Sequence, residues 1–475
     1  MKNCDFDIKN GVLLRYDGKR ENVVVPDGVT EIGANAFEGA KTLSNIILPS
    51  SLMVIGDWAF SKCYSLKNVI IPDGVTVIGA RAFDCCKSLT SIMIPSNVMH
   101  IGHGAFMECK NLKSITVSEE NIRFRAESNC IIDKTTNTLL LGCANSVIPK
   151  GVTSIASFAF EETPVEIVIP DSVIWINTKS FYYCKNLKSI FIPATVTHIG
   201  ECAFLGCTSV QNMIVSESNK HYHSSGNCLI ETKTNTLLHG WVNSVIPNYI
   251  THIGCRAFYE CKDLTNITIP HGIISIENRA FDGCTALRNI IIPDSVTSIG
   301  RCAFRNCTAL TIIRIPASIT CLSAYAFALC TNLKSVSLAE GLTRIGYYAF
   351  GGCKKLADIT IPNSVEYIER YAFSYCRSLT AISIPLSIMR IEEKAFYYYR
   401  HNCNERFPYI QATIPSVEAH AFIGCSSLAN ITIPENVIEI DESSFGKHKQ
   451  LVIRTTEGSY AEDYAKRKNI AFHYI

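Results

Sequence analysis

Cysteine is the residue whose number and spacing most suggest chemistry, with 22 copies among 475 residues. Thiolates act as nucleophiles and metal ligands. Twelve of these cysteines lie three residues after a phenylalanine: Cys63, Cys86, Cys109, Cys184, Cys207, Cys261, Cys284, Cys307, Cys330, Cys353, Cys376 and Cys425. Buried free cysteine behaves as a small apolar residue. So regular a spacing therefore favours a structural row of thiols over regulatory or metal chemistry, although both interpretations stay open.

Metal ligands and catalytic motifs are weakly represented. The pairs His100 with His103 and His221 with His223 lack a defined third ligand. No two C-x-x-C pairs occur together, as a structural zinc site would require. The motifs H-E-x-x-H, G-x-S-x-G, Walker A and G-x-G-x-x-G are also missing from the sequence. We therefore predict a non-enzymatic protein with no metal and no cofactor.

Charge and hydropathy exclude further classes. The chain has 44 Lys and Arg against 42 Asp and Glu, a net charge of +2. Nucleic-acid-binding domains usually carry a basic excess, so we predict no nucleic-acid partner. Apolar runs reach only about five residues, far short of the roughly 20 that span a bilayer. We predict no membrane span.

The elements that position the cysteines come from a repeat. An Ala-Phe pair recurs at 23-residue spacing, as at Phe37, Phe60 and Phe83, and sixteen such phenylalanines occur in all. The unit reads I-P-x-x-V-x-x-I-G-x-x-A-F-x-x-C-x-x-L-x-x-I-x-I-P. Its I-x-I segment alternates like a short strand. One unit cannot bury its own apolar residues, but stacked units can, so the pattern predicts a solenoid of about sixteen coils with caps.

This unit resembles the leucine-rich repeats of the BspA-like family, from about Asn10 to the end of the chain. The resemblance implies a right-handed leucine-rich-repeat solenoid with a parallel sheet on its concave face. It also implies a bacterial or protozoan protein, often surface-exposed or secreted, that takes part in adhesion and in binding host or matrix partners.

Two insertions interrupt the repeat. Phe106 to Phe160 and Phe204 to Phe258 each span 54 residues, one unit plus 31. Both insertions contain two apolar runs separated by a Lys/Thr/Asn turn, which predicts a β-hairpin. They match each other at an offset of 98 residues, as expected from an internal duplication. The insertions could serve either as structural spacers or as projecting binding loops.

The ends of the chain are expected to be caps. Gly11–Gly18 ends in Asp-Gly, a hairpin turn signal. Ser459 is expected to cap a helix, with Glu462 completing a capping box, and 470–475 alternates as a last strand. No anchor is expected after it, and no signal peptide is visible before the first cap.

We therefore predict seven segments. They are an N-terminal cap hairpin (1–25), repeats (26–117), a hairpin insertion (118–147), repeats (148–215), a second hairpin insertion (216–245), repeats (246–454) and a C-terminal cap helix and strand (455–475).

Two groups of residues are candidate binding sites. The first is the residue between the two inward positions of each strand, which should face solvent on the concave side. Its apolar members are Ile47, Ile70, Met93, Val168, Phe191, Ile214 and Ile291. An exposed apolar row suggests a binding site, but strand propensity or cover by the hairpins also explains it. The second group is Tyr397, Tyr398, Tyr399 and Arg400, which lie in a repeat of irregular length. Tyrosine and arginine are frequent at binding hot spots, but an irregularity in coil packing would also explain this group.

The resulting functional expectation is a monomeric protein-interaction or glycan-interaction module similar to surface adhesins. An intracellular leucine-rich-repeat scaffold or regulator is the alternative. The resemblance implies the cell surface or secretion, whereas the cysteines and the lack of a visible signal peptide favour a reducing compartment. The identity of the partner does not follow from the sequence.

Overall fold

The structure is a computed structural model. It describes residues 5–161, 166–379, 381–383, 387, 389–392, 394–396, 410–411, 416–417, 430–433, 435, 437–445 and 451–474. The chain divides into two compact units, Met1–His223 and Ser224–Ile475, each described by itself.

Unit 1 is built almost entirely from short strands. They are β1 (Phe6–Lys9), β2 (Val12–Tyr16), β3 (Asn22–Val24), β4 (Glu31–Ile32), β5 (Asn45–Ile47), β6 (Val54–Ile55), β7 (Asn68–Val69), β8 (Val77–Ile78), β9 (Ser91–Ile94), β10 (His100–Ile101), β11 (Ser114–Val117), β12 (Phe124–Glu127), β13 (Cys130–Asp133), β14 (Thr138–Leu141), β15 (Ser154–Ile155), β16 (Trp175–Ile176), β17 (Ser189–Ile192), β18 (His198–Ile199) and β19 (Asn212–Val215).

Unit 2 continues the same pattern after β20 (Tyr222–Ser225), which lies at the boundary. Its elements are β21 (Cys228–Glu231), β22 (Thr236–His239), β23 (His252–Ile253), β24 (Ser275–Ile276), β25 (Ser298–Ile299), β26 (Ile312–Ile315), β27 (Cys321–Leu322), β28 (Ser335–Leu338), β29 (Arg344–Ile345), β30 (Asp358–Thr360), β31 (Tyr367–Ile368), β32 (Ala381–Ser383), β33 (Arg390–Ile391), β34 (Ile410–Gln411), β35 (Ser416–Val417), β36 (Asn430–Thr432), β37 (Glu439–Ile440), β38 (Val452–Thr455), α1 (Tyr460–Lys468) and β39 (Ala471–Tyr474).

A typical coil among the described residues contributes two strands and one turn, as the coil with β9 and β10 does. The strand before the proline pairs in parallel with its equivalent in the next coil, as β9 does with β11. We call these strands the Ile-Pro row. A two-residue strand before the glycine pairs likewise, as β4 does with β6, and these form the Ile-Gly row. Both registers advance by 23 residues, which confirms the predicted parallel solenoid.

The turn around the Ala-Phe pair forms a third hydrogen-bonded strip between coils. The amides of Trp58, Phe60 and Lys62 donate to carbonyl oxygens one coil later at 2.9, 2.7 and 2.8 Å. Trp58 and Lys62 reach this arrangement with left-handed φ angles of 59° and 60°. Residues other than glycine and asparagine rarely adopt this region, so Trp58 and Lys62 impose a backbone cost on this turn.

The phenylalanines of the repeat stack through the core. Phe37, Phe60, Phe83 and Phe106 lie with ring centroids 5.0, 5.1 and 5.3 Å apart. A second stack in unit 2 runs from Phe258 to Phe396, with centroid spacings of 5.0 to 5.6 Å. The rings are nearly parallel, and all lie in the buried core.

The solenoid has about 18 turns, slightly more than the predicted sixteen. The number of turns exceeds the number of Ala-Phe pairs because some coils lack this pair. Tyr16 takes the place of the phenylalanine in the first coil, 5.0 Å from the Phe37 ring. Strands β14 and β22 close further coils by pairing in parallel with β15 and β23.

Both insertions contain the predicted hairpin. In unit 1, β13 pairs antiparallel with β14, and a further strand, β12, pairs antiparallel with β13. In unit 2, β21 pairs with β22 in the same way. The insertions are therefore joined to the Ile-Gly row by their last strands.

The N-terminal hairpin turns at a different place from the one predicted, whereas the C-terminal helix has the expected cap. The N-terminal hairpin β1–β2 reverses at Asn10 and Gly11, with φ angles of 53° and 79°, and not at Asp17-Gly18. Two positive φ angles suit the twist of a two-residue hairpin. At the other end, Ser459 Oγ accepts from the Glu462 amide as predicted, while the Glu462 carboxylate accepts from the Gly458 amide at 2.6 Å.

Candidate binding surfaces

The predicted apolar row is exposed to solvent. Between 43% and 81% of the surface of each member is accessible: Ile47, Ile70, Met93, Val168, Phe191, Ile214 and Ile291. Their flanking strand residues point inward; Ile92 and Ile94, on either side of Met93, are buried. In unit 1 the register pairs Phe191 with Ile214, so these side chains are direct neighbours on one face of the sheet.

The sequence prediction missed three members of this row. Val24, Val147 and Val245 are all exposed, and each precedes a buried residue and then a proline. Val24 pairs with Ile47 in the strand register. The signal that could have found them is the spacing from the proline, which holds even where the preceding strand pattern is interrupted by an insertion.

Polar residues fill the equivalent positions in much of unit 2. Thr268, Arg314, Ser337 and Thr360 are exposed there, and the register pairs Arg314 with Ser337 and Ser337 with Thr360. The same strand geometry therefore accepts polar side chains at this position. Strand propensity favours branched residues, but threonine satisfies it as isoleucine does, so the fold does not require the apolar character of the row.

The insertion of unit 1 does not cover the row. The Asn129 carboxamide accepts from the Ile115 amide at 2.7 Å and donates to the Lys113 carbonyl at 2.7 Å. The Val147 amide donates to the Ser128 carbonyl. The tip of the insertion thus lies at the edge of β11, and the exposure of Ile47 and Ile70 shows that these side chains stay uncovered.

The second predicted site, Tyr397, Tyr398, Tyr399 and Arg400, lies outside the residues that the structure describes.

A different aromatic cluster lies on the turns of unit 2. Tyr325, Tyr347, Tyr348 and Tyr371 form this tyrosine patch, with ring centroids 5.3 to 6.5 Å apart. The Arg301 guanidinium lies 5.3 Å from the Tyr325 ring centroid, within the range of a cation–π contact. Tyrosine and arginine are enriched at binding hot spots, so this patch is a second candidate surface.

The tyrosines occupy positions where the backbone prefers other residues. Tyr325, Tyr348 and Tyr371 have left-handed φ angles of 60°, 53° and 58°. Glycine or asparagine would fit these positions with less strain. The patch was not predicted, because its tyrosines lie on the turns and not on the strands. The 23-residue spacing of these three tyrosines was the available signal.

A pocket of about 720 Å³ opens between two coils of unit 2. One wall comes from residues 244–248 and the other from residues 266–272. In this part of the Ile-Pro row, the strand at Asn266 is replaced by a single isolated β-bridge from Asn266 to Asn289 in the next coil. Pockets of this size suit small organic ligands.

The cysteine row is part of the core packing. The Cys86 thiol donates to the Phe60 carbonyl at 3.2 Å, and Cys307 and Cys330 make the same bond to Phe281 and Phe304 at 3.2 and 3.1 Å. Burial raises the pKa of the Cys63 thiol to about 12. Thiols of this kind stay protonated at neutral pH, so they act as hydrogen-bond donors and not as nucleophiles.

The described residues do not form a metal-binding cluster. Within them, no group of three His, Cys, Asp or Glu side chains could hold an ion. His100 and His103 lie on β10 and in the turn that follows it. None of the described helices is both long and apolar enough to cross a bilayer.

The repeat can be compared with known families. The model for a BspA type leucine rich repeat region of six copies matches residues 14–133, 141–237, 241–357 and 343–461. The chain belongs to this family. The predicted resemblance is therefore confirmed, and the leucine-rich-repeat fold follows from it.

Solved structures include similar bacterial proteins. A leucine rich cell surface protein from Faecalibacterium prausnitzii A2-165 is 31% identical; the match covers 78% of this chain and 89% of that one, with a TM-score of 0.49. A leucine-rich repeat protein from Eubacterium ventriosum ATCC 27560 is 22% identical, with 92% and 90% covered and a TM-score of 0.47. No curated protein sequence matches the chain.

Proposed function

We propose that the chain is a non-enzymatic interaction module that holds a protein partner on the exposed apolar Ile-Pro row. The observation that supports this is the contrast within one fold: apolar side chains are exposed at positions such as Ile47 and Ile70, where Ser337 and Thr360 show that polar residues fit. Contiguous exposed apolar surface commonly marks an interaction site. A preformed sheet also loses little conformational entropy when a partner binds.

The adhesin form of this proposal places the module at the cell surface, with a host or matrix partner. It is supported by the family and by the Faecalibacterium relative, which is called a cell surface protein. We assign the chain no catalytic role and expect it to act as a monomer.

Site-specific photo-crosslinking tests the row. A benzoyl-phenylalanine is placed at position 70, and a matched one at position 360, which has the same strand geometry but a polar native residue. In cells that make the chain, we expect an adduct of defined mass from position 70 only. The changes Ile47→Thr and Met93→Thr in the neighbouring coils should abolish it.

The magnitude follows from the buried side chains. Full burial of one isoleucine contributes about 1.5–3 kcal/mol, and each 1.4 kcal/mol corresponds to a tenfold change in affinity. Ile47→Thr alone should therefore weaken binding by about tenfold or more. Equal adducts at positions 70 and 360, or an adduct insensitive to both threonine changes, would refute this surface.

The cysteines favour a second candidate, an intracellular scaffold or regulator. No disulfide joins the described cysteines, and most of them are buried. Reduced cysteines in such numbers are typical of reducing compartments. Biotinylation of intact cells separates the two candidates: labelling before lysis supports the adhesin form, and labelling only after lysis supports the scaffold.

A further inference from the structure

We propose that the pocket between residues 244–248 and 266–272 binds a short neutral oligosaccharide. This site lies in unit 2 and includes Val245 of the exposed row and Thr268 at the equivalent position one coil later. Its ligand class, a sugar in place of a protein, goes beyond the function proposed above. Its walls combine apolar side chains with polar ones: Val245, Ile267, Asn248, Asn266, Thr268 and His271.

The polar side chains have hydrogen-bonding capacity to spare. Within the described residues, the side chains of Asn248, Thr268 and His271 have no hydrogen-bond partner. Asn266 donates only to the adjacent Thr265 hydroxyl, at a long 3.4 Å. Two carboxamides, a hydroxyl and an imidazole offer both donors and acceptors. Vicinal sugar hydroxyls present the same mixture.

The charge of the pocket selects the ligand class. Its lining contains no Lys, Arg, Asp or Glu. Anionic ligands are usually held by arginine or lysine, so a sulfated or sialylated sugar has no counter-ion here. Val245 and Ile267 supply apolar surface for the C–H faces of sugar rings. The chemistry that remains is that of a neutral, polyhydroxylated ligand.

A peptide strand added between the two walls is the competing occupant. Such a strand would need free backbone groups along one edge. The Val245 amide donates to the Gly226 carbonyl at 2.8 Å and Asn266 is bridged to Asn289, but no backbone hydrogen bond joins residues 244–248 to residues 266–272. The side chains of Asn248, Thr268 and His271 add donors and acceptors that strand pairing does not use, and they favour the sugar; a failure of every neutral sugar probe would favour the strand.

Calorimetry with the full chain tests this assignment. The probes are lactose, maltotriose, cellotriose and triacetylchitotriose, with 3′-sialyllactose as the charged counterpart of lactose. We expect at least one neutral probe to bind with a millimolar or lower Kd, and sialylation to give no gain. The absence of saturable binding by every neutral probe, or tighter binding of sialyllactose than of any neutral probe, would overturn the proposal.

Matched variants locate the binding. Thr268→Trp fills the pocket, and Thr360→Trp makes the same change at the equivalent exposed position four coils later. We expect Thr268→Trp to lose at least tenfold in affinity and Thr360→Trp to match the native chain. Equal affinity of both variants and the native chain would place the sugar elsewhere and refute the site.

A gentler variant keeps the test valid if Thr268→Trp does not fold. Asn248→Ala combined with His271→Ala removes exposed polar groups only, and should lower affinity at least tenfold without changing the circular dichroism spectrum. An unchanged affinity would also refute the site. Ile47→Thr should leave sugar binding intact, so failure of the protein-binding row and failure of this pocket give different results.

Discussion

Replacing Phe304 with alanine tests whether the phenylalanine stack holds the coils together. The Phe304 side chain is fully buried, and its ring lies 5.2 Å from those of both Phe281 and Phe327. The change leaves a ring-sized cavity between two neighbouring rings. It keeps the backbone, so the Phe304 carbonyl can still accept from the Cys330 thiol.

The expected cost comes from burial and from ring contacts. Truncating a buried phenylalanine to alanine usually costs about 3–5 kcal/mol, and each aromatic pair adds about 0.5–1.5 kcal/mol beyond burial. Because two pairs are lost and neighbouring coils restrict collapse of the cavity, we expect the upper end, about 5 kcal/mol. In a repeat protein this loss falls on the affected coil and its two interfaces, so neighbouring coils should unfold together.

The assay is urea unfolding followed by far-ultraviolet circular dichroism, fitted with a nearest-neighbour model of coil stability. Phe191→Ala is the control, because it makes the same chemical change at an exposed strand position. We expect the control to cost about 1 kcal/mol or less, as strand propensity alone would. A loss near 1 kcal/mol for Phe304→Ala would refute the inward stack as the main source of cohesion.

Two further predictions concern titratable groups. Iodoacetamide alkylation of the native chain at pH 8, mapped by mass spectrometry, should modify exposed Cys321 well before buried Cys307. Burial raises the pKa of the Cys307 thiol well above its usual value. Equal alkylation rates at the two cysteines would contradict the buried row of thiols. Contacts with Lys466 and the Gly458 amide lower the pKa of Glu462 to about 2 from its usual 4.5, so its contribution to stability is present above about pH 4.5 and is lost as the pH falls toward 2. The variant Glu462→Gln should therefore flatten the acid limb of a plot of Tm against pH, and an unchanged limb would show that this carboxylate does not stabilise the cap.

Much of the coil could be predicted from residue spacing. The period of 23 placed Phe304 and its equivalents inward and placed Ile70 outward, because burial follows the repeat. Strand β12 was not predicted, because Phe124–Glu127 alternates apolar and charged residues over only four positions. Its pairing with β13, which a pattern so short does not indicate, makes it a strand.

The binding surfaces were less predictable than the fold. The position of Val147 was hidden because the insertion breaks the strand pattern that identifies its neighbours. The pocket beside Thr268 depends on where pairing between coils is lost, which no single coil encodes. The tyrosine patch depends on side chains from successive turns coming within ring-contact distance, a property of stacking and not of the repeat unit.

The thiol row has a consequence for how such a chain can change in length. Among the described residues, the thiols of the row reach back to the phenylalanine carbonyl of the preceding coil, as Cys330 does to Phe304, except Cys261, which reaches the Gly240 carbonyl. Gaining or losing one whole coil gives each donor an equivalent acceptor. The coil from Phe160 to Phe181 has 21 residues and still keeps the bond from the Cys184 thiol to the Phe160 carbonyl at 2.8 Å. The unit of change is therefore the whole coil and not a fixed number of residues, and each coil adds one more site to the exposed row. Variation in coil number is thus a direct route to changing the extent of the surface while every coil keeps the same contacts.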